Sequence, residues 1–202
     1  AAATAHVANS PYAITAATAI GSGLSNYTIS YIDGALTITP RPITITANDQ
    51  SKVYGSTITF TGSEFSAGLV NGDTLAVTLT STGAAATASV AGSPYAIIAS
   101  NAVATGSTDI NDYSISSYVD GQLTVTPKAL TITANDQSKV YGNTITFNGS
   151  EFSSSGLVNA DSISSVTLAS AGAAATAHVA NSPYAITAAT AIGSGLSNYT
   201  IS

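Results

Sequence analysis

Apolar and hydroxyl side chains alternate along most of this chain in short runs bounded by turn residues. Ile43-Thr44-Ile45-Thr46 is the clearest run. Period two puts the isoleucines on one face and the threonines on the other, the pattern of a half-buried strand. Thr57-Ile58-Thr59-Phe60 predicts a second strand, and Leu75, Val77 and Leu79, alternating with Ala76, Thr78 and Thr80, a third. Tyr95-Ala96-Ile97 restarts the pattern after Ser93-Pro94, and a proline fits a strand's first position. Asn48-Asp49-Gln50-Ser51 and Asn71-Gly72-Asp73 are turn formers, and Lys52-Val53-Tyr54 resumes the chain before Gly55. Ser63 to Val70 has Phe65 and Leu69 at helical spacing, but the related Phe152 and Leu157 are separated by one residue more. A helix would rotate that second pair off one face, so an ordered loop is expected.

The strongest local turn signal is Asp33-Gly34, which separates the alternating Tyr27, Ile29 and Tyr31 from Leu36-Thr37-Ile38-Thr39. It predicts a hairpin closed by a type I′ turn. The related Tyr113 to Gly121 carries one added serine, which would turn Tyr118 to the wrong face unless the strand bulges at Ser116/Ser117. The span that leads through Thr105 to Asn111 up to Tyr113 is three residues longer than the equivalent Pro11–Tyr27, and insertions of this kind sit in exposed connections.

These elements recur. Thr44 to Gly55 is repeated letter for letter at Thr131 to Gly142, Pro127 follows Pro40 by 87 positions, and Ala1 to Ser30 returns as Ala173 to Ser202. A recurring period of this kind marks a repeat architecture. The expected organisation is the C-terminal part of one repeat at 1–39, a complete repeat at 40–126, and a repeat lacking its last hairpin at 127–202. With no Met, the chain is expected to be a segment of a longer array. Thr39-Pro40-Arg41-Pro42 leaves no loop between repeats, and its prolines make the junction extended and stiff. The expected fold is therefore all-β: small Ig-like sandwich modules arranged end to end as a rod, with β-grasp-like modules as the alternative.

Composition narrows the function. Ten acidic and four basic residues in 202 leave a net charge of −6, too few cations to neutralise a run of phosphates. Nucleic acid is excluded as a partner, and no basic amphipathic face or long apolar run points to membrane contact by this segment. Without cysteine there is neither a disulfide framework nor a thiolate metal site. Hydrophobic residues still make up 45% of the chain, enough for a folded core.

The residues resemble the tandem MBG-type repeats, the class with Tyr-Gly after the first strand, of large bacterial surface and secreted adhesins. The matching stretches are 45–55 and 132–142, Gly68-Leu69-Val70-Asn71-Gly72-Asp73, and Asn26 to Pro40. The resemblance implies an extracellular or cell-surface β module, repeated to make a stalk or fibre, and supplies no catalytic residues; no cofactor or metal is expected. Asn159-Ala160-Asp161 lacks the turn glycine, so that turn is expected to differ.

Candidate chemistry is thin. His6 and His178 are one position of successive His-bearing repeats, with Ser89 between, and a lone His is more often structural than a ligand. Glu64 with Asp73, and Glu151 with Asp161, read as solvated turn acids rather than a hydrolytic pair. Asp109-Ile110-Asn111-Asp112 has only part of a calcium ladder. Lys52 and Lys139 near Asn48, Asp49 and Glu64 have the residue types of an isopeptide bond, though surface pairing is the plainer reading. Tyr27, Tyr31 and Tyr54 could face a ligand or form half of a core. Arg41, Lys52, Tyr54, Lys139 and Tyr141 are the candidates for ligand or inter-module contact. The expected role is structural, with neighbouring repeats as partners and lateral self-association into a fibre. The alternative is a module that recognises host glycan or protein through the tyrosines and the 105–111 loop.

Overall fold

The computed structural model describes residues 2–202. The described residues form fourteen strands and short 3₁₀ turns, with no α-helix. In chain order the strands are β1 (Tyr12–Ile14), β2 (Gly34–Leu36), β3 (Arg41–Ala47), β4 (Gln50–Val53), β5 (Phe65–Ser66), β6 (Thr74–Thr80) and β7 (Tyr95–Thr105). They continue as β8 (Tyr113–Val119), β9 (Gly121–Thr126), β10 (Lys128–Ala134), β11 (Phe152–Ser155), β12 (Ser162–Ala169), β13 (Thr187–Ser194) and β14 (Tyr199–Ile201). The chain is all-β, as the alternation requires.

It divides into two compact units that cut across the repeats. One comprises Ala1–Asn48, Phe60–Thr80 and Ile97–Gly121. There β3 lies between β5, antiparallel, and β8, parallel. Ile43, Ile45 and Ala47 point inward as their period demands, and so do Leu75, Val77 and Leu79 of β6. The β3–β8 register passes from Ile43↔Ile115 to Thr44↔Ser117, so Ser116 is the extra residue of a bulge where one was expected. β6 pairs antiparallel with β7, and β1 with β2.

The other unit comprises Asp49–Thr59, Ser81–Ala96 and Gln122–Ser202. β4 runs parallel to β9, β10 lies between antiparallel β11 and parallel β14, and β12 pairs antiparallel with β13. Its core gathers Tyr54, Val125, Leu130 and Tyr199, with Leu157, Val158 and Ile163 packed around them.

Three expectations are corrected. Thr57 to Phe60 alternates but is not a strand, because its backbone meets the run after Ser81 through a single bond, Ile58 N–H to Ala84 O (3.1 Å). The Asp-Gly hairpins do not form: β8 follows β3 and β9 follows β4, each in parallel. Gly121 serves a different purpose from the one expected, since a Cβ there would lie 2.6 Å from Ala47 O. Glycine is needed for close backbone approach, not for positive φ. The third correction concerns Asn159-Ala160, which adopts the same left-handed pair as Asn71-Gly72, with φ of 56° and 62° against 57° and 79°. The fold imposes the turn on an alanine that disfavours it. Ala160→Gly should therefore stabilise its unit by about 1 kcal/mol, measured as a raised denaturation midpoint at unchanged m-value. A neutral or lowered midpoint would refute the strain.

The Ser63–Val70 segment is non-helical, as expected, and Glu64 holds it. Its carboxylate accepts from the backbone N–H groups of Thr61 (3.0 Å), Gly62 (3.1 Å) and Ser63 (3.2 Å), and from the Thr61 hydroxyl (2.7 Å). Burial opposes ionisation here, but these donors favour the anion and bring Glu64 down to about 2. Glu151 closes its loop with the same backbone donors, Asn148, Gly149 and Ser150, and is also lowered.

The candidate repeat junction

The candidate functional feature is a set of polar couplers, found twice, where one repeat meets the next. At the first meeting, Asp112 Oδ1 accepts from Val7 N–H (2.6 Å) and Asp112 Oδ2 pairs with His6 Nδ1 (2.5 Å). Asn71 Nδ2 donates to Ala3 O (3.1 Å). At the second, Asn198 Oδ1 accepts from Val90 N–H (2.9 Å), and Asn159 Nδ2 donates to Ala86 O (2.9 Å). Counted along the repeat, Val7 and Val90 are one position, Asp112 and Asn198 another, Asn71 and Asn159 a third.

A tyrosine follows each Asp or Asn and secures the turn that carries the coupling asparagine. Tyr113 O–H donates to Asp73 (2.6 Å) and accepts from Val70 N–H (3.1 Å); Tyr199 does the same with Asp161 (2.7 Å) and Val158 N–H (2.9 Å). Burial, then the adjacent carboxylate, pushes the Tyr113 phenol up. Burial likewise raises Tyr199, and Asp161 adds to the rise while the Val158 N–H opposes it. Both phenols are neutral donors at any physiological pH.

At the second junction Asp161 accepts a further phenol, Tyr54 (2.9 Å). Tyr54 meets Tyr199 edge to face, with ring centroids 5.5 Å apart and planes at 81°. Such an arrangement adds attraction beyond the area buried. Gly55, at φ +86°, brings its backbone so near Val158 that a Cβ would stand 2.6 Å from that side chain. The Tyr-Gly pair thus supplies an aromatic anchor and then a position without a side chain, against which the next repeat's Val158 packs.

The five candidate contact residues have distinct placements. Arg41 is exposed and donates through Nε to Gly68 O (3.0 Å). Lys52 is buried, its ammonium donating to Ser56 O (2.8 Å) and Ala85 O, and burial lowers its pKa. Tyr54 is the junction anchor just described. Lys139 repeats the Lys52 bonds, to Asn143 O (2.9 Å) and Ala174 O (2.7 Å). Tyr141 is 57% exposed and stacks on His178, ring centroids 6.4 Å apart. Lys139, Tyr141 and His178 line an open groove of about 710 Å³.

Other candidates resolve simply. The isopeptide arrangement is not built: the lysine ammonium groups are turned to backbone carbonyls, and Asp49 accepts from Gln122 N–H (2.7 Å). Glu64 with Asp73, and Glu151 with Asp161, have separate structural tasks. Asp109 accepts from Asn111 N–H at the start of a 3₁₀ turn (3.0 Å). The ligand-capable atoms of His6, Asp109 and Asp112 nevertheless lie within 4.8 Å of one another. Tyr27 and Tyr31 are exposed whereas Tyr54 is buried. Sequence reasoning read Asn71, Asp73, Asn159 and Asp161 as turn residues and Asp112 as part of a calcium ladder, and gave no contact role to Tyr113, Asn198 or Tyr199. Their signal was present as Asn-x-Asp and Asp/Asn-Tyr in each full-length or nearly full-length repeat.

An all-β chain whose successive repeats are joined by one recurring set of couplers is a tandem-repeat module protein. Comparison with known families agrees: the model of the MBG domain (YGX type) matches residues 43–124 and again 130–202, and the chain belongs to that family. Domains of this family typically occur as repeats in surface proteins. No curated protein and no solved structure gives a match. No helix among the described residues is long and apolar enough to cross a membrane.

Proposed function

We propose that these repeats are structural and non-catalytic, forming the stalk or fibre of a bacterial extracellular adhesin, with the neighbouring repeat as each module's partner. The module boundaries are those of the repeat, 40–126 and 127 onward. The observation that supports this most is the doubled junction: Val N–H to Asp/Asn, and Asn to Ala O, recur at both meetings. An interface that recurs with the same hydrogen bonds transmits load and orientation from one copy to the next, and copy number then sets reach. The buried cluster of Tyr54, Val125, Leu130 and Tyr199 draws on two successive repeats, so separating them exposes apolar surface.

The test is small-angle scattering on this chain and on versions lengthened by one and two further 172-residue pairs. The maximum dimension should grow by a constant increment per pair. A dimension that fails to grow in proportion would overturn the stalk. A glycan array on the same proteins addresses recognition: selective saturable binding would favour a ligand-binding module instead.

A further inference from the structure

The two junctions share their geometry but not their charge. The trailing residue is His6 at the first and Ser89 at the second, one position of the repeat. The leading residue switches with it, from Asp112 to Asn198, and the 3₁₀ turn before it begins at Asp109 in one case and Gly195 in the other. The valine N–H bond to the leading side chain persists at both, at 2.6 and 2.9 Å. Partners on opposite sides of an interface thus change together, from ionisable to neutral.

A mixed pair loses what the His6–Asp112 pair has, whereas Ser89 and Asn198 make no demand on each other: Ser89 Oγ accepts from Gly92 N–H and Asn198 Nδ2 donates to Gly195 O. Ser opposite Asp112 would leave a carboxylate whose side chain is 19% exposed without its cation, near Asp109 and Asp73. His opposite Asn198 would bring an imidazolium to a turn with no acidic residue of its own, and Asp161 beside it is already engaged by Tyr54 and Tyr199. The shared Val bond cannot discriminate, because both Asp and Asn accept it. Discrimination therefore falls to His against Ser and Asp against Asn.

We infer that residues 6 and 112, with 109, and residues 89 and 198 form a two-letter matching code that fixes which kind of repeat follows which: a trailing His face takes an Asp-bearing leading face, and a trailing Ser face takes an Asn-bearing one. The His–Asp junction is also the pH-responsive one. The groups around His6 are Asp112 and Asp109 on the 3₁₀ turn, Asp73 on the turn before β6, and Arg41 and Tyr113 in the same groove; Tyr12 O–H donates to the His6 carbonyl. Asp112, by hydrogen bond and charge, raises His6 above its ordinary 6.5. Asp112 lies below its ordinary 3.8; burial opposes this, and the Val7 N–H and His6 outweigh it. A raised folded-state histidine contributes fully below 6.5 and loses its contribution as pH climbs through the raised value. A depressed carboxylate contributes above 3.8 and loses it as pH falls through the lowered value. The paired junction is strongest between those limits.

The experiment is a double-mutant cycle in the whole chain: His6→Ser, Asp112→Asn and both together, by thermal unfolding at pH 5.5 and 9, with His6 followed by NMR titration. The single variants should each melt below both the parent and the double variant at pH 5.5, and this non-additivity should shrink at pH 9. In Asp112→Asn, His6 should titrate back near its ordinary 6.5. Additive effects at pH 5.5, or a His6 titration that Asp112→Asn leaves unmoved, would overturn the inference. The reciprocal cycle, Ser89→His with Asn198→Asp, guards against a variant that fails to fold. Only the double variant should acquire a coupling between the two positions that is greater at pH 5.5 than at pH 9, and a cycle without that coupling would count against the code.

Discussion

Leu130→Ala should destabilise its unit by about 2–5 kcal/mol, the range for removing a fully buried leucine side chain and leaving a cavity. Leu130 is 0% exposed on β10 and belongs to the cluster that joins Tyr54 and Val125 of one repeat to Tyr199 of the next. The loss therefore falls on the coupling between repeats as well as on the core of one. Val103→Ala serves as the control, since Val103 is 56% exposed and its truncation should change stability by no more than about 0.5 kcal/mol. Urea denaturation of both variants, followed by tyrosine fluorescence, reports the difference. Comparable midpoints for the two would mean that Leu130 is not part of a packed core.

The second large effect is expected at Asp161→Ala. One carboxylate oxygen accepts from both Tyr54 (2.9 Å) and Tyr199 (2.7 Å), residues that are 4% and 8% exposed. Removing it strands the buried Tyr54 phenol and leaves Tyr199 O–H only the longer Val158 O (3.3 Å); at about 1–3 kcal/mol for each donor, a combined loss of about 2–6 kcal/mol is expected. Asp161→Asn keeps an acceptor oxygen at the site and should cost clearly less. Tyr54→Phe removes one bond together with its donor and should cost only about 0.5–1.5 kcal/mol. If Asp161→Ala proved as mild as Tyr54→Phe, the shared acceptor would not be holding the junction.

These effects bear on how far the sequence could be followed. Period-two alternation located β3 and β6 with their inward residues, because exposure of a strand face is a local property of the pleat. The extra serine located the bulge at Ser116 for the same reason, since one added residue must flip the face or be absorbed. Alternation could not say what a strand pairs with. Thr57–Phe60 has the pattern and lacks the partner, and the Asp-Gly signal at Gly121 marks a close backbone approach rather than a hairpin. The junction was legible only as stiffness, through Pro40 and Pro42. Its couplers are ordinary turn residues until the neighbouring repeat brings a backbone N–H or a carbonyl to meet them.

The clearest separation of the two levels lies in the stretch repeated letter for letter. Gln50-Ser51-Lys52-Val53-Tyr54-Gly55 and Gln137-Ser138-Lys139-Val140-Tyr141-Gly142 are identical, and both lysines turn to two backbone carbonyls. Yet Gln50–Val53 is a strand along β9 with Tyr54 4% exposed, whereas 137–140 is not a strand and Tyr141 is 57% exposed. The sequence by itself determined the repeat, its period, the alternating faces and the local lysine cap, all of which depend on near neighbours. Tertiary structure alone decided whether that segment becomes a strand and whether its tyrosine becomes an anchor. A strand needs a second backbone to satisfy its N–H and C=O groups, and a buried phenol needs both an apolar wall and an acceptor.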